Sequence, residues 1–152
     1  MRTCLIAVSV LALASLASAG PAPVQMDDLS VIVVPAKPHR AETRAAEVCQ
    51  ELLERHYNRK LAIVDSAPDT GVPILLGRGP AIAAGAVTAG DLQRLKWDGY
   101  IVQVGDGRVV VAGYRGLATL FGTYALLERM GIKLYPHRTA AVRGRIPGRT
   151  IG

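Results

Sequence analysis

Apolar and polar positions along the chain change period several times, and each change marks an element. "LSVIVVPA", Leu29 to Ala36, is a compact β-branched run that reads as a strand, closed by Pro35 and Pro38. In "HRAETRAAEVCQELLERHYNRK" the period lengthens. Ala45, Val48, Cys49, Leu52, Leu53 and His56 recur at i, i+3, i+4 and i+7, the stripe of an amphipathic helix. Glu42, Glu47, Glu51 and Glu54 fall off that stripe and read as a solvated face, with Glu51 and Arg55 spaced to pair one turn apart. "LAIVDSA", Leu61 to Ala67, and "VPILLG", Val72 to Gly77, are two further strands around the turn residues Pro68 to Gly71. Both are apolar on either side, as expected for inner strands with covered faces.

"RGPAIAAGAVTAGDLQRLKW" is a small-residue connection with room for one short helix. "GYIVQVGDGRVVVAG" carries two β runs around Gly105-Asp106-Gly107, a hairpin turn suited to positive φ. A second helix follows, about Arg115 to Met130. It is apolar nearly all round, with Leu120, Phe121 and Tyr124 expected to face the sheet. Gly122 inside it costs about 1 kcal/mol against alanine, which close approach to the sheet would explain. Gly131 stops this helix as a C′ residue, and a short apolar strand ends at Tyr135-Pro136. The order β-α-β-β-β-β-α-β gives the α/β (α+β) class. The expected domain has two layers, a mixed sheet of about five to six strands carrying two main helices.

The ends of the chain bound this domain. Met1-Arg2, an apolar run from Leu5 to Leu16 and Ala17-Ser18-Ala19 form the charged, apolar and cleavage regions of a signal peptide, residues 1–19. A retained anchor is the competing reading, but the run falls short of the about 20 residues that a bilayer span needs. The protein is therefore expected to be exported, without a stable membrane anchor. Residues 20–28 read as a flexible leader, 29–137 as the α/β domain and 138–152 as a basic tail or linker. Cleavage would leave Cys49 as the one thiol, on the apolar stripe of the first helix, and so buried and inert rather than catalytic.

A net charge of +6 changes the picture only after its location is read. Arg138, Arg143, Arg145 and Arg149 lie in a tail with no acidic residue, and the body of the domain is nearly neutral. A nucleic-acid binder would show a basic face interleaved with aromatics. The chain has one Phe and one Trp, and no nucleic-acid partner is expected.

Reactive constellations are equally sparse. The glycines after the strand at Val72 fall at 77, 79 and 85, off the dinucleotide spacing, and no Gly-Lys-Ser/Thr occurs. "GYRG" opens a helix, which alone is weak evidence for an anion site. His39, His56 and His137 share no ligand spacing, so no metal or cofactor is expected. No G-x-S-x-G nucleophile turn appears. Asp65, Asp69, Asp91, Asp98 and Asp106 fall at strand ends or turns, where turn duty explains them. One aromatic cluster stands out. Trp97 and Tyr100 flank Asp98-Gly99 at the start of a strand, with Arg115 opening the helix that follows the hairpin. Packing at the strand start is the simpler reading of the two rings; a ligand or interface surface at Trp97, Tyr100 and Arg115 is the other.

"DGYIVQV" followed by "RVVVAGYRGLATLFGTYALLERMGIKLYP" resembles the small α/β domain that precedes the catalytic barrel in α-glucuronidases, β-N-acetylhexosaminidases and related secreted glycosidases. The resemblance runs through Asp98, Gly99, Tyr100, Gly113, Arg115, Gly116, Gly122, Tyr124, Leu127, Glu128, Gly131, Lys133, Tyr135 and Pro136, within about Leu29 to Pro136. Two departures qualify it: the segment from Arg78 to Lys96 is rich in Ala and Gly, and the sequence ends at Gly152, where such proteins continue into a (β/α)₈ barrel. The catalytic acids of those enzymes lie on the barrel, so none is carried over. The resemblance implies a non-catalytic accessory domain of an exported glycoside hydrolase. Its partners would be a barrel domain or chain, with polysaccharide as a second partner. A free-standing carbohydrate-binding or interaction module is the alternative.

Overall fold

The computed structural model describes residues 24–135, 138–142 and 150–151. The proposed signal peptide and the tail arginines 143, 145 and 149 lie outside the described residues. The elements in chain order are β1 (Val24–Gln25), a 3-10 turn (Met26–Asp28), β2 (Leu29–Val33), α1 (Arg40–Tyr57), β3 (Ala62–Val64), β4 (Val72–Leu76), α2 (Arg78–Ala83), α3 (Ala89–Leu95), β5 (Tyr100–Gly105), β6 (Arg108–Gly113), α4 (Gly116–Arg129), β7 (Ile132–Tyr135), β8 (Arg138–Val142) and β9 (Thr150–Ile151). The connection between β4 and β5 holds two short helices where one was expected.

The main sheet has five strands in the order β3-β2-β4-β6-β5. β2 runs parallel to both β3 and β4, and β4 parallel to β6. β5 returns antiparallel to β6 through Asp106-Gly107, both at positive φ (50° and 68°), as a two-residue hairpin requires. This is the expected mixed α/β sheet. β1 pairs with β9, and β7 with β8, in two small ribbons beside it.

Residues of period two sort the core onto the two faces of the sheet. Ile32, Ile74, Leu76, Val109 and Val111 face α1 and α4 and pack with Ala45, Cys49, Leu53, Leu126 and Leu127. Val33, Leu75, Val110 and Ala112 point the other way, onto a thinner layer made by Ala81, Val87 and Leu92 from the segment that carries α2 and α3. That layer explains why β4 reads as apolar on both sides. β3 is different: it was expected inside the sheet and lies at its edge, with Ala62 and Ile63 exposed. A run of three residues is too short to show a period, and short strands are how natural sheets blunt their edges.

Cys49 is fully buried, and burial pushes its thiol up to about 12, so it is an inert core residue. Glu42 departs from the solvated face expected for it. It is buried at the start of α1, where its Oε2 accepts from the backbone N–H of His39 at 2.8 Å. His39 Nδ1 in turn accepts from the Ala41 N–H at 3.1 Å. This is a capping box with histidine in the usual Ser/Thr place, which is why the sequence did not announce it. Glu51 and Arg55 do pair, at 2.6 Å.

The largest difference is the orientation of α4. Ala118, Thr119, Gly122, Thr123, Leu126 and Leu127 face inward, while Leu117 and Phe121 are each 39% exposed. Leu120 and Tyr124 are half-buried and pack against the core as expected, so of the three residues expected inward Phe121 is the one turned out. A Cβ on Gly122 would come within 2.8 Å of Val111 Cγ1 and 3.1 Å of Tyr100 Cδ2. The helix therefore sits too close to the sheet for large side chains over its first turns. The stripe of small residues, not the bulky apolar one, seats it.

Candidate functional site

The side chains that could meet a ligand or partner gather where β5 begins and α4 begins. Of the exposed large hydrophobic residues among those described, Trp97, Tyr100, Tyr114, Leu117 and Phe121 fall in this region, and Ile63 alone lies elsewhere. The local fold brings them together. Tyr100 pairs with Gly113 across the hairpin, and the Tyr114 N–H donates to the Gly99 carbonyl at 3.0 Å. Tyr100 reaches under Gly122, which places it beside the exposed flank of α4. Leu117 and Phe121 follow one turn apart on that flank.

Trp97 is 73% exposed, so it does not pack at the strand start. The backbone holds it out. Lys96 and Trp97 adopt φ of 51° and 35°, a conformation that side-chain-bearing residues rarely take and that tends to be retained at functional positions. The Arg115 guanidinium lies 6.0 Å from the centroid of the indole ring, at the limit of a cation–π contact. The same guanidinium binds Asp98 Oδ1 at 2.6 Å. The three residues singled out from sequence, Trp97, Tyr100 and Arg115, thus belong to one surface. The sequence missed Tyr114, Leu117 and Phe121. The only signal for the last two was that α4 has more bulky apolar positions than one buried face can use.

Two of the hollows that flank strand ends bear on ligand binding. One, of about 210 Å³, is lined by Gln93, Lys96, Trp97 and Tyr114. The other, of about 500 Å³, lies beyond the carboxyl ends of β2, β3 and β4 and is lined largely by apolar groups, with Asp65 and Ser66 its polar members. Carboxyl ends of parallel strands are the usual ligand position in open α/β sheets. Here they offer one carboxylate and one hydroxyl on adjacent residues, with no second acid for acid–base work.

The helix that delivers Lys96 and Trp97 is firmly capped. Thr88 Oγ1 accepts from the Asp91 N–H at 3.1 Å, and Asp91 Oδ2 accepts from the Thr88 N–H at 2.9 Å and from the Thr88 hydroxyl at 2.6 Å. Arg94 completes the set with an ion pair to Asp91. Asp91 is thus a helix cap rather than a turn residue. The hydrogen bonds from Thr88, aided by Arg94, lower its carboxyl from 3.8 to about 2. A depressed carboxylate supports the fold fully above its ordinary pKa and loses that support as pH falls through the folded value. A carbon-13 NMR titration should therefore place the Asp91 midpoint near 2, and Thr88→Ala should move it back toward 3.8. An Asp91 midpoint that Thr88→Ala leaves unchanged would remove the cap from the account.

No protein-family model matches the chain, and no curated protein does. Among solved structures the chain is similar to a mutant β-hexosaminidase of Streptomyces plicatus (D313N) in complex with its product GlcNAc. The TM-score is 0.51 at 18% identity. The match covers 72% of this chain and only 18% of that one. The chain therefore shares the fold of a small part of a glycoside hydrolase.

Proposed function

We propose that this chain is a non-catalytic accessory domain of an exported glycoside hydrolase of the α-glucuronidase or hexosaminidase kind, and that its aromatic face packs against a catalytic barrel. The observation that carries the reading is the gathering of Tyr100, Tyr114, Leu117 and Phe121 on one exposed edge beside Trp97. Soluble domains rarely leave large apolar side chains contiguous unless something covers them. Aromatic residues with a neighbouring arginine are also the composition of interface centres. The shared fold with part of a hexosaminidase supports the choice of partner. Export follows from the expected signal peptide and belongs to the same proposal.

Two measurements on the purified chain test it. It should turn over neither aryl glucuronides nor aryl N-acetylhexosaminides, and it should self-associate in sedimentation velocity with its face uncovered. Leu117→Lys combined with Phe121→Asp should then leave a folded monomer. Turnover that vanishes on mutating one named acid would defeat the non-catalytic reading. A wild-type chain that stays monomeric at high concentration would defeat the docking face.

A further inference from the structure

We propose that the free edge of β5 pairs with the same edge of a second copy of this chain, antiparallel and in one register centred on Val102. The inference rests on the docking reading above in one respect: without a barrel the exposed flank of α4 needs another cover, and the paired edges supply it.

The hairpin settles which backbone groups are free. Gly105 and Arg108 flank its two-residue turn and face each other as a hydrogen-bonded pair, so Gly105, Gln103 and Ile101 bond to β6. The bond from the Tyr114 N–H to the Gly99 carbonyl continues that alternation. Tyr100, Val102 and Val104 therefore turn their N–H and C=O groups away from β6. β5 ends the sheet, and no described strand lies beyond it. Natural edges are blunted by shortness, proline or lysine. The opposite edge, β3, is three residues long, whereas β5 runs for six, Tyr100–Gly105, with neither proline nor charge.

The strand complements itself. A two-fold axis at Val102 sets Val102 against the Val102 of the second copy and Tyr100 against its Val104. Each facing pair exchanges two hydrogen bonds. A slip of one residue sets free groups against bonded ones, and a slip of two loses a pair. The charges agree with this direction. Lys96 and Arg115 against Asp98 leave one positive charge at the start of β5, and Asp106, which pairs with no described residue, stands at its end. Antiparallel pairing lays each start beside the other copy's end. Above the sheet, α4 lies over β5 and β6 with α1 on its other side, so Leu117 and Phe121 overhang the free edge. Pairing the edges brings the two flanks together, and a barrel that takes the face displaces the second copy.

Residue-resolved hydrogen exchange of the purified chain over a range of concentrations tests the register. The Tyr100, Val102 and Val104 amides should exchange fast in dilute solution and lose that exchange as concentration rises. Ile101, Gln103 and Gly105 should be slow throughout. Val102→Pro removes only an outward N–H, a place where an edge strand accepts proline. It should leave the circular dichroism unchanged and the chain monomeric in sedimentation velocity. Association with those three amides still fast would overturn the strand pairing, and so would a folded Val102→Pro chain that associates like the wild type. Either result leaves the docking face standing, since Leu117 and Phe121 would then drive association alone. A wild-type chain that stays monomeric at high concentration would overturn both.

Discussion

Gly113→Ala is expected to destabilise the domain by about 3 kcal/mol or more, a large share of the about 5–15 kcal/mol that holds a domain together. Gly113 ends β6 where the chain turns into α4. A Cβ there would lie 2.4 Å from the Thr119 backbone nitrogen and 2.6 Å from the Ala118 carbonyl carbon. These are atoms of the helix itself, so no side-chain rotation relieves the contact; α4 would have to lift from the sheet. Lifting also breaks the hydrogen bond from the Gly113 N–H to Thr119 Oγ1, at 3.1 Å inside the core. Urea unfolding followed by far-ultraviolet circular dichroism measures the change. A loss below about 1 kcal/mol would mean that α4 does not press on the sheet as described.

The second large effect separates the two sides of the same helix. Leu127→Ala should cost roughly 2–5 kcal/mol, because Leu127 is fully buried among the residues shared by α1, α4 and the sheet. Phe121→Ala should cost less than about 1 kcal/mol, since a ring 39% exposed on the flank of α4 leaves no closed cavity behind. Its effect should fall on self-association instead. From the sequence alone, Phe121 is the larger and more apolar residue and the natural candidate for the core. Equal losses at the two positions would undo the orientation of α4.

That reversal shows where the sequence was informative. Element positions were legible because each rests on local rules. The hairpin at Asp106-Gly107 needs positive φ, the helix stop at Gly131 needs a left-handed residue, and the amphipathic stripe of α1 needs only a period. The class of fold followed from their order. What stayed hidden depends on distance between elements. Whether β3 is inside the sheet or at its edge is decided by pairing, not by the composition of three residues. The face that α4 buries was marked by Ala118, Thr119, Gly122 and Thr123, but small residues carry little hydrophobic signal, and Leu117 and Phe121 outweighed them. The candidate surface was half legible for the same reason. Trp97 and Tyr100 adjoin in the sequence and Arg115 opens the next helix, whereas Tyr114 joins them through its backbone bond to Gly99, and Leu117 and Phe121 only once the helix is turned.

The seating of α4 on small residues separates two demands that usually compete for the same side chains. Contacts at Gly122, Thr119 and Thr123 fix the rotation of the helix, so positions 117 and 121 contribute little to holding it there. Substitution at those outward positions is then nearly free of folding cost. A few exposed side chains there can be rewritten while the glycine contact preserves the frame beneath them. On that account the outward face of α4 varies more cheaply than its seat, and the glycine at its back is what permits it.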